Sequence, residues 1–245
     1  MPTLEYDDAS IYYEVHGSGF PILAFAPGAL MSTIEVWNRA PVNPVKLFGP
    51  AFQVIVMDQR NAGGQSRATI RADDGWQTFL ADHVALLDHL QINRCHLYGQ
   101  CIGGPFILSM LKAYPDRIAS AVITQPIGRV GALPPGRSPS FTSWVGTLKD
   151  HPEADEQVLD SFYANLYAPG FAYSVDREFL RRCETPCLVL AGNDAAHPFA
   201  IAEEIARLLP HSEFIAERRE EQALAGATKR MTQFLTERTP IATDR

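Results

Sequence analysis

Short continuous apolar runs, bounded by turn residues, set the rhythm of this chain. Pro21-Ile-Leu-Ala-Phe-Ala, Phe52-Gln-Val-Ile-Val-Met, Ile118–Thr124 and Pro186-Cys-Leu-Val-Leu-Ala are the clearest. A run of this length predicts a strand buried on both faces of a sheet. Residues 3–16 read differently: Leu4, Tyr6, Ile11, Tyr13 and Val15 are interleaved with polar residues up to His16-Gly-Ser-Gly19. That alternation predicts two antiparallel strands. Elsewhere the apolar spacing opens to three and four. Trp76, Phe79, Leu80, Val84, Leu87 and Leu90 predict a helix, with Asp73 or Asp74 as its N-cap. Further helices are expected over 104–114, 200–209 and 222–236, and strands over 95–100 and 213–216.

Strands and helices therefore alternate, which implies an α/β fold: a mostly parallel twisted sheet of about eight strands with helices on both faces. One segment breaks the rhythm. Val130-Gly-Ala-Leu-Pro-Pro-Gly-Arg-Ser-Pro has the composition of a linker. It is followed by Phe141, Trp144, Leu148 and then Val158, Leu159, Phe162, Tyr163 and Leu166 at helical spacing. We expect 129–182 to be an inserted helical cap over the sheet's C-terminal edge, with 1–128 and 183–245 forming the core domain.

Composition narrows the function. With 245 residues, 46% of them hydrophobic, the chain can bury a sizeable core. A net charge of −7 without a basic cluster excludes nucleic acid as a partner. No apolar run reaches the roughly 18 residues of a membrane span, and the acidic start lacks a signal-peptide core. Four cysteines make no disulfide framework in a chain of this length, so a reducing cytoplasm is expected. The five-residue span Cys183-Glu-Thr-Pro-Cys187 fits neither a redox pair nor half a zinc site. A small-molecule substrate, no cofactor and no metal are expected, and a homodimer is left open.

The candidate chemistry lies at Gly99-Gln-Cys101-Ile-Gly103, where a strand-like run meets a helix-like run. G-x-nucleophile-x-G is a nucleophile elbow, a turn that lifts one side chain clear of the sheet. It also aims the Ile102 N–H and a helix N-terminus at whatever that side chain attacks. The alternative is a buried structural thiol in a Gly-rich turn.

Read with its neighbours, the chain resembles the α/β-hydrolase superfamily over essentially its whole length. The resemblance rests on His16-Gly-x-Gly, Pro27-Gly28, Asp58-x-Arg-x-x-Gly-x-x-Ser66, the elbow, and Leu188-Val-Leu-Ala-Gly-Asn-Asp194-Ala-Ala-His197-Pro, in that order. Cysteine at the elbow is similar to the dienelactone hydrolases, which use Cys-His-Asp on this fold. The resemblance implies a Cys101 nucleophile, an oxyanion hole from the N–H groups of Ala29 and Ile102, and Asp194 as the acid. Asp58, Arg60 and Ser66 are expected to be structural. Asp194 has a plainer reading as the cap of the next helix.

The histidine departs from the pattern. Where the family places it, after the last strand, this chain reads Glu217-Arg-Arg-Glu-Glu-Gln222. Among the others, only His197 lies in a loop at the strands' C-terminal edge, where open α/β sheets bind ligands. We therefore expect Cys101 and His197 to act as a dyad. Asp194 and His197 stand only three positions apart, which suggests a carboxylate that contributes mainly field. Trp144, Phe162 and Tyr163 are expected to contact an apolar or ring-bearing substrate. The predicted function is hydrolysis of an ester, thioester or lactone through a Cys101 acyl-enzyme. Alternatives on the same scaffold are small-molecule binding without turnover, and lyase or isomerase chemistry.

Overall fold

A computed structural model describes residues 2–133, 135–218 and 220–241. Eight strands, β1 (Thr3–Tyr6), β2 (Ala9–His16), β3 (Pro21–Phe25), β4 (Gln53–Met57), β5 (Cys95–Gln100), β6 (Ile118–Thr124), β7 (Cys187–Leu190) and β8 (Ser212–Ile215), form one sheet. Its order is β1-β2-β4-β3-β5-β6-β7-β8. β1–β2 and β2–β4 pair antiparallel, and every other neighbouring pair is parallel. This is the expected α/β class, with β5 lying between β3 and β6.

The buried runs explain the layering. Every residue of β5 and β6 is buried, and side chains on a strand point alternately to the two faces. Leu23 and Phe25 of β3 thus join one core while Ile22 and Ala24 join the other. The first core is covered by α2 (Trp76–His89), α3 (Gly103–Ala113) and α7 (Phe199–Leu208). The second is covered by α1 (Pro44–Phe48) and α8 (Glu221–Glu237), through Phe48, Met231 and Phe234. Among the described residues no helix is long and apolar enough to cross a membrane.

The N-cap of α2 is Gly75, not Asp73 or Asp74. Asp74 is drawn off by the preceding turn, where its carboxylate accepts from Arg71 N–H at 2.8 Å and from the Thr78 hydroxyl at 3.1 Å. The Asp58–Ser66 turn is tied internally. Asp58 accepts from the N–H groups of Ile34 and Gln65, both at 2.7 Å, and Arg60 forks onto buried Asp82 at 2.6 and 2.7 Å.

Between β6 and β7 lie α4 (Pro139–Val145), α5 (Glu156–Tyr167) and α6 (Arg177–Arg182). Each opens on a side-chain cap: Ser138 accepts from Phe141 N–H, Asp155 from Val158 N–H, and Asp176 from Phe179 N–H. Short helices are marginal alone and hold through packing. Here Phe141, Trp144 and Phe162 supply it, packing on one another with tilted rings while Phe162 also stacks on Phe79 of α2. Truncating one such aromatic to alanine typically costs about 3–5 kcal/mol.

Candidate active site

Strand β5 ends at Gln100, and Cys101 follows with φ of 58°, a left-handed conformation that non-glycine residues rarely adopt. Such a residue costs on the order of 1–3 kcal/mol and persists only where its surroundings over-determine it. They do so here. Cys101 N–H donates to Thr124 O at 3.1 Å, and Cys101 O accepts from Gly104 N–H at 3.0 Å and Ile127 N–H at 3.2 Å. Glycine is required at 99, because a Cβ there would lie 2.8 Å from the Gly103 carbonyl oxygen. The strand and the following helix cross at backbone distance, and the turn between them is locked.

Cys101 is only 8% exposed, at the floor of a cavity of about 760 Å³ that Ala29, Tyr163, Tyr167 and His197 also line. Ala29, with φ of 51°, opens a single 3₁₀ turn after β3, and Ile102 caps α3. N–H groups at such positions lack an intrahelical acceptor. The N–H groups of Gly28 and Ala29 act on the Cys101 sulfur itself and help to hold its charge.

The other half of the site is local. Asp194 Oδ1 accepts from Ala196 N–H and His197 N–H, both at 2.9 Å, folding the chain back on itself. The same carboxylate receives His197 Nδ1 at 2.9 and 3.1 Å. Asp194 was expected to contribute mainly field, and here it also hydrogen-bonds the ring: a separation of three residues suffices when the turn is this tight. Gly192 makes room for it, since a Cβ there would sit 2.4 Å from His197 Cβ. With Nδ1–H given to Asp194, Nε2 is the ring nitrogen left to exchange a proton with Cys101. It is buried, makes no hydrogen bond of ordinary geometry, and lies close enough to Cys101 for each group to shift the other's ionisation.

The four thiols show what that neighbour does. Burial pushes Cys95 up to about 12 and raises Cys183 and Cys187 as well. Burial also pushes Cys101 up, but His197 and the N–H groups of Gly28 and Ala29 outweigh it, and the thiol ends below its ordinary value. His197 shows the reverse balance. Burial pushes it down, while Cys101 and then Asp194 pull it above the usual imidazole value. The pairing favours thiolate and imidazolium together.

The structure separates the expected substrate-binding residues. Tyr163 lines the cavity. Trp144 and Phe162 do not: they are 2% and 3% exposed and form the interior of the α4–α5 cluster, with Trp144 Nε1–H donating to Asn61 O at 2.7 Å. Large aromatics at helical spacing serve first as core, and here that use consumed them. Tyr167 and Tyr173 take the wall position instead. Two arginines on the lining, Arg129 and Arg137, were not singled out from the sequence. The other histidines are used elsewhere, His83 on Gln59, His96 on Ser120 and Thr239, and His211 on Glu184 at the opposite edge.

A sequence model of the alpha/beta hydrolase fold matches residues 25–152, more than half of the chain. Among curated proteins, 3-oxoadipate enol-lactonase 2 of Acinetobacter baylyi is 26% identical over 217 residues, 78% of this chain and 78% of that one. A protein of Azorhizobium caulinodans named "Putative carbamate hydrolase RutD" is 29% identical over 126 residues. That match spans 50% of this chain and 43% of the relative's length. Among solved structures, the enol-lactonase from Burkholderia xenovorans LB400 superimposes with a TM-score of 0.70 at 19% identity, over 96% of this chain and 100% of that one. At that identity the likeness speaks for the fold alone. The family match, the strand order and the elbow agree: the chain belongs to the alpha/beta hydrolase fold family.

Proposed function

We propose that this protein is a hydrolase of carboxylic esters, thioesters or lactones in which Cys101 is the nucleophile, His197 the acid–base and Asp194 its orienting carboxylate. The observation that carries the reading is the Asp194–His197 hydrogen bonding, at 2.9 and 3.1 Å, on the cavity that Cys101 also lines, where His197 lowers that thiol while burial raises the three others. The hydrolase names of the relatives point the same way. Segment 129–182 serves as the cap, since the cavity lies between it and the elbow.

The chemistry follows from the geometry. The Cys101 thiolate attacks the substrate carbonyl carbon, and the electron pair moves onto the carbonyl oxygen. The N–H groups of Ala29 and Ile102, with Gly28 beside them, stabilise that oxyanion. As the tetrahedral adduct collapses, His197 gives its Nε2 proton to the leaving oxygen or sulfur, producing a thioester-linked acyl-enzyme. Water then enters. His197 Nε2 takes its proton as the hydroxide adds, and collapse expels the Cys101 thiolate together with the carboxylic acid.

The test is trapping. Wild-type protein mixed with 4-nitrophenyl acetate at neutral pH should release a burst of one nitrophenolate per chain. Mass spectrometry of the quenched protein should place one acetyl group on Cys101. Turnover that persists in Cys101→Ala, or acetylation of another residue, overturns the assignment.

A further inference from the structure

The cavity differs in charge from the molecule that surrounds it. The chain carries 28 acidic and 21 basic residues, yet the described cavity lining includes Arg129, Arg137 and His197 and no Asp or Glu. The two arginines are not equivalent. Arg137 is neutralised by Glu156 and Asp160 at 2.8 and 2.7 Å. Arg129 makes no ion pair among the described residues, and its guanidinium is tied to protein by one bond, from Nη2 to Ala168 O at 3.1 Å. Its main-chain N–H is fixed on Phe171 O at 2.7 Å, so the root of the side chain is held. That leaves further N–H donors of a rigid fork that matches a carboxylate. Tyr173, also on the lining, is near enough to feel this charge: burial and Tyr163 raise its phenol, and Arg129 lowers it.

We propose that the substrate carries a carboxylate on its acyl part, remote from the reacting carbonyl, and that Arg129 is the residue that selects it. The identification rests on the hydrolase reading above for its covalent half and on the charge of the lining for its recognition half. A monoester of a dicarboxylic acid, or a lactone bearing a carboxylate, fits the class. The acyl part enters the cavity before acylation, so a charge held there favours capture and acylation, the steps that kcat/KM reports. A purely hydrocarbon chain offers the guanidinium no acceptor and gains nothing from it.

The experiment compares matched substrates. Mono-(4-nitrophenyl) adipate and 4-nitrophenyl hexanoate have equal acyl carbon counts and differ at the far end, carboxylate against methyl. The suberate and octanoate pair extends the comparison by two carbons. The quantity read is the ratio of kcat/KM for anionic over neutral ester, in which general damage to turnover cancels. Wild type should favour one of the anionic esters, and Arg129→Gln should cut the ratio by about 10–100-fold, the size of a lost charge-assisted contact. Arg129→Glu should push it below one. A ratio at or below one in wild type for both lengths, or one that survives in Arg129→Gln, overturns the proposal. If no ester is turned over at all, the hydrolase reading has failed separately. Calorimetric titration with adipate and suberate then decides the anion site: binding lost in Arg129→Gln supports it, and equal or absent binding overturns it.

Discussion

The two halves of the candidate site are built in opposite ways. The elbow is over-determined from a distance. Its strand lies between two others, its carbonyl and N–H bond to β6 and the residues after it, and its first glycine meets another backbone at 2.8 Å. The Asp194–His197 turn is held by its own carboxylate, on a side chain that is 51% exposed. A nucleophile must be placed in a strained conformation, and strain needs a rigid frame. An acid–base group needs only reach and orientation, which a short turn supplies. One half should therefore resist change until the fold fails, and the other should lose function while the fold stands.

The largest expected effect is at the elbow's apex. Cys101→Ala should lower ester turnover by about 10⁴–10⁶-fold, as for loss of a nucleophile elsewhere. Thermal unfolding should shift by less than about 3 °C, because the side chain is small. Steady-state hydrolysis of 4-nitrophenyl esters and a melting curve check both. His197→Ala follows, with a loss of roughly 10²–10⁴-fold in acylation, measured by single-turnover kinetics. An unchanged acylation rate with activated thioesters would remove His197 from the mechanism.

The comparison is sharpest at two glycines. In Gly99→Ala the new methyl meets the Gly103 backbone, which cannot retreat without moving α3. Overpacking of this kind costs about 1–3 kcal/mol, or roughly 2–4 °C in Tm for each kcal/mol in a chain of this size. In Gly192→Ala the methyl meets His197 Cβ at 2.4 Å and the His197 carbonyl oxygen at 2.7 Å, in a turn beyond the end of β7 and not at a strand–helix crossing. Tm should fall less than in Gly99→Ala, because the displaced turn lies outside the sheet, while kcat/KM falls by about 10²-fold from a misplaced imidazole. If both variants lose stability equally, the two halves are not built differently after all.

The same division decides what could be read from the chain. The elbow is legible because its constraint is local in sequence: strand, Gly-x-Cys-x-Gly and helix are contiguous. The fold is legible too, since buried parallel strands appear as unbroken apolar runs. Asp194 and His197 were visible as residue types at a strand's end, but not the tightness of the turn, which depends on Gly192 and on three donors converging on one carboxylate. Trp144 and Phe162 were misread as substrate contacts. Helical spacing shows that a residue faces inward, not whether it meets substrate or other side chains. Arg129 was not singled out because its meaning comes from the carboxylates absent from the described lining, and that is a property of space.

The smallest effect concerns pH, and it tests whether Asp194 orients His197. In wild type the thiolate–imidazolium pair forms at a pH below the ordinary thiol value, because Cys101 is lowered while His197 is raised. Iodoacetamide should then alkylate Cys101 near neutral pH, well ahead of Cys95, Cys183 and Cys187, and the rate should fall as pH drops through the lowered Cys101 value. Asp194 stabilises the charged imidazole after Cys101 does. In Asp194→Asn the imidazolium loses that support, the thiolate loses part of its partner's charge, and the alkylation midpoint should move upward. The move should be smaller than in His197→Ala, where only the N–H groups of Gly28 and Ala29 are left to oppose burial and the midpoint should rise furthest. A pH–rate profile for each variant, followed by mass spectrometry of the Cys101 peptide, orders the three midpoints. A midpoint in Asp194→Asn equal to that of wild type would mean that the carboxylate shapes the turn without tuning the pair.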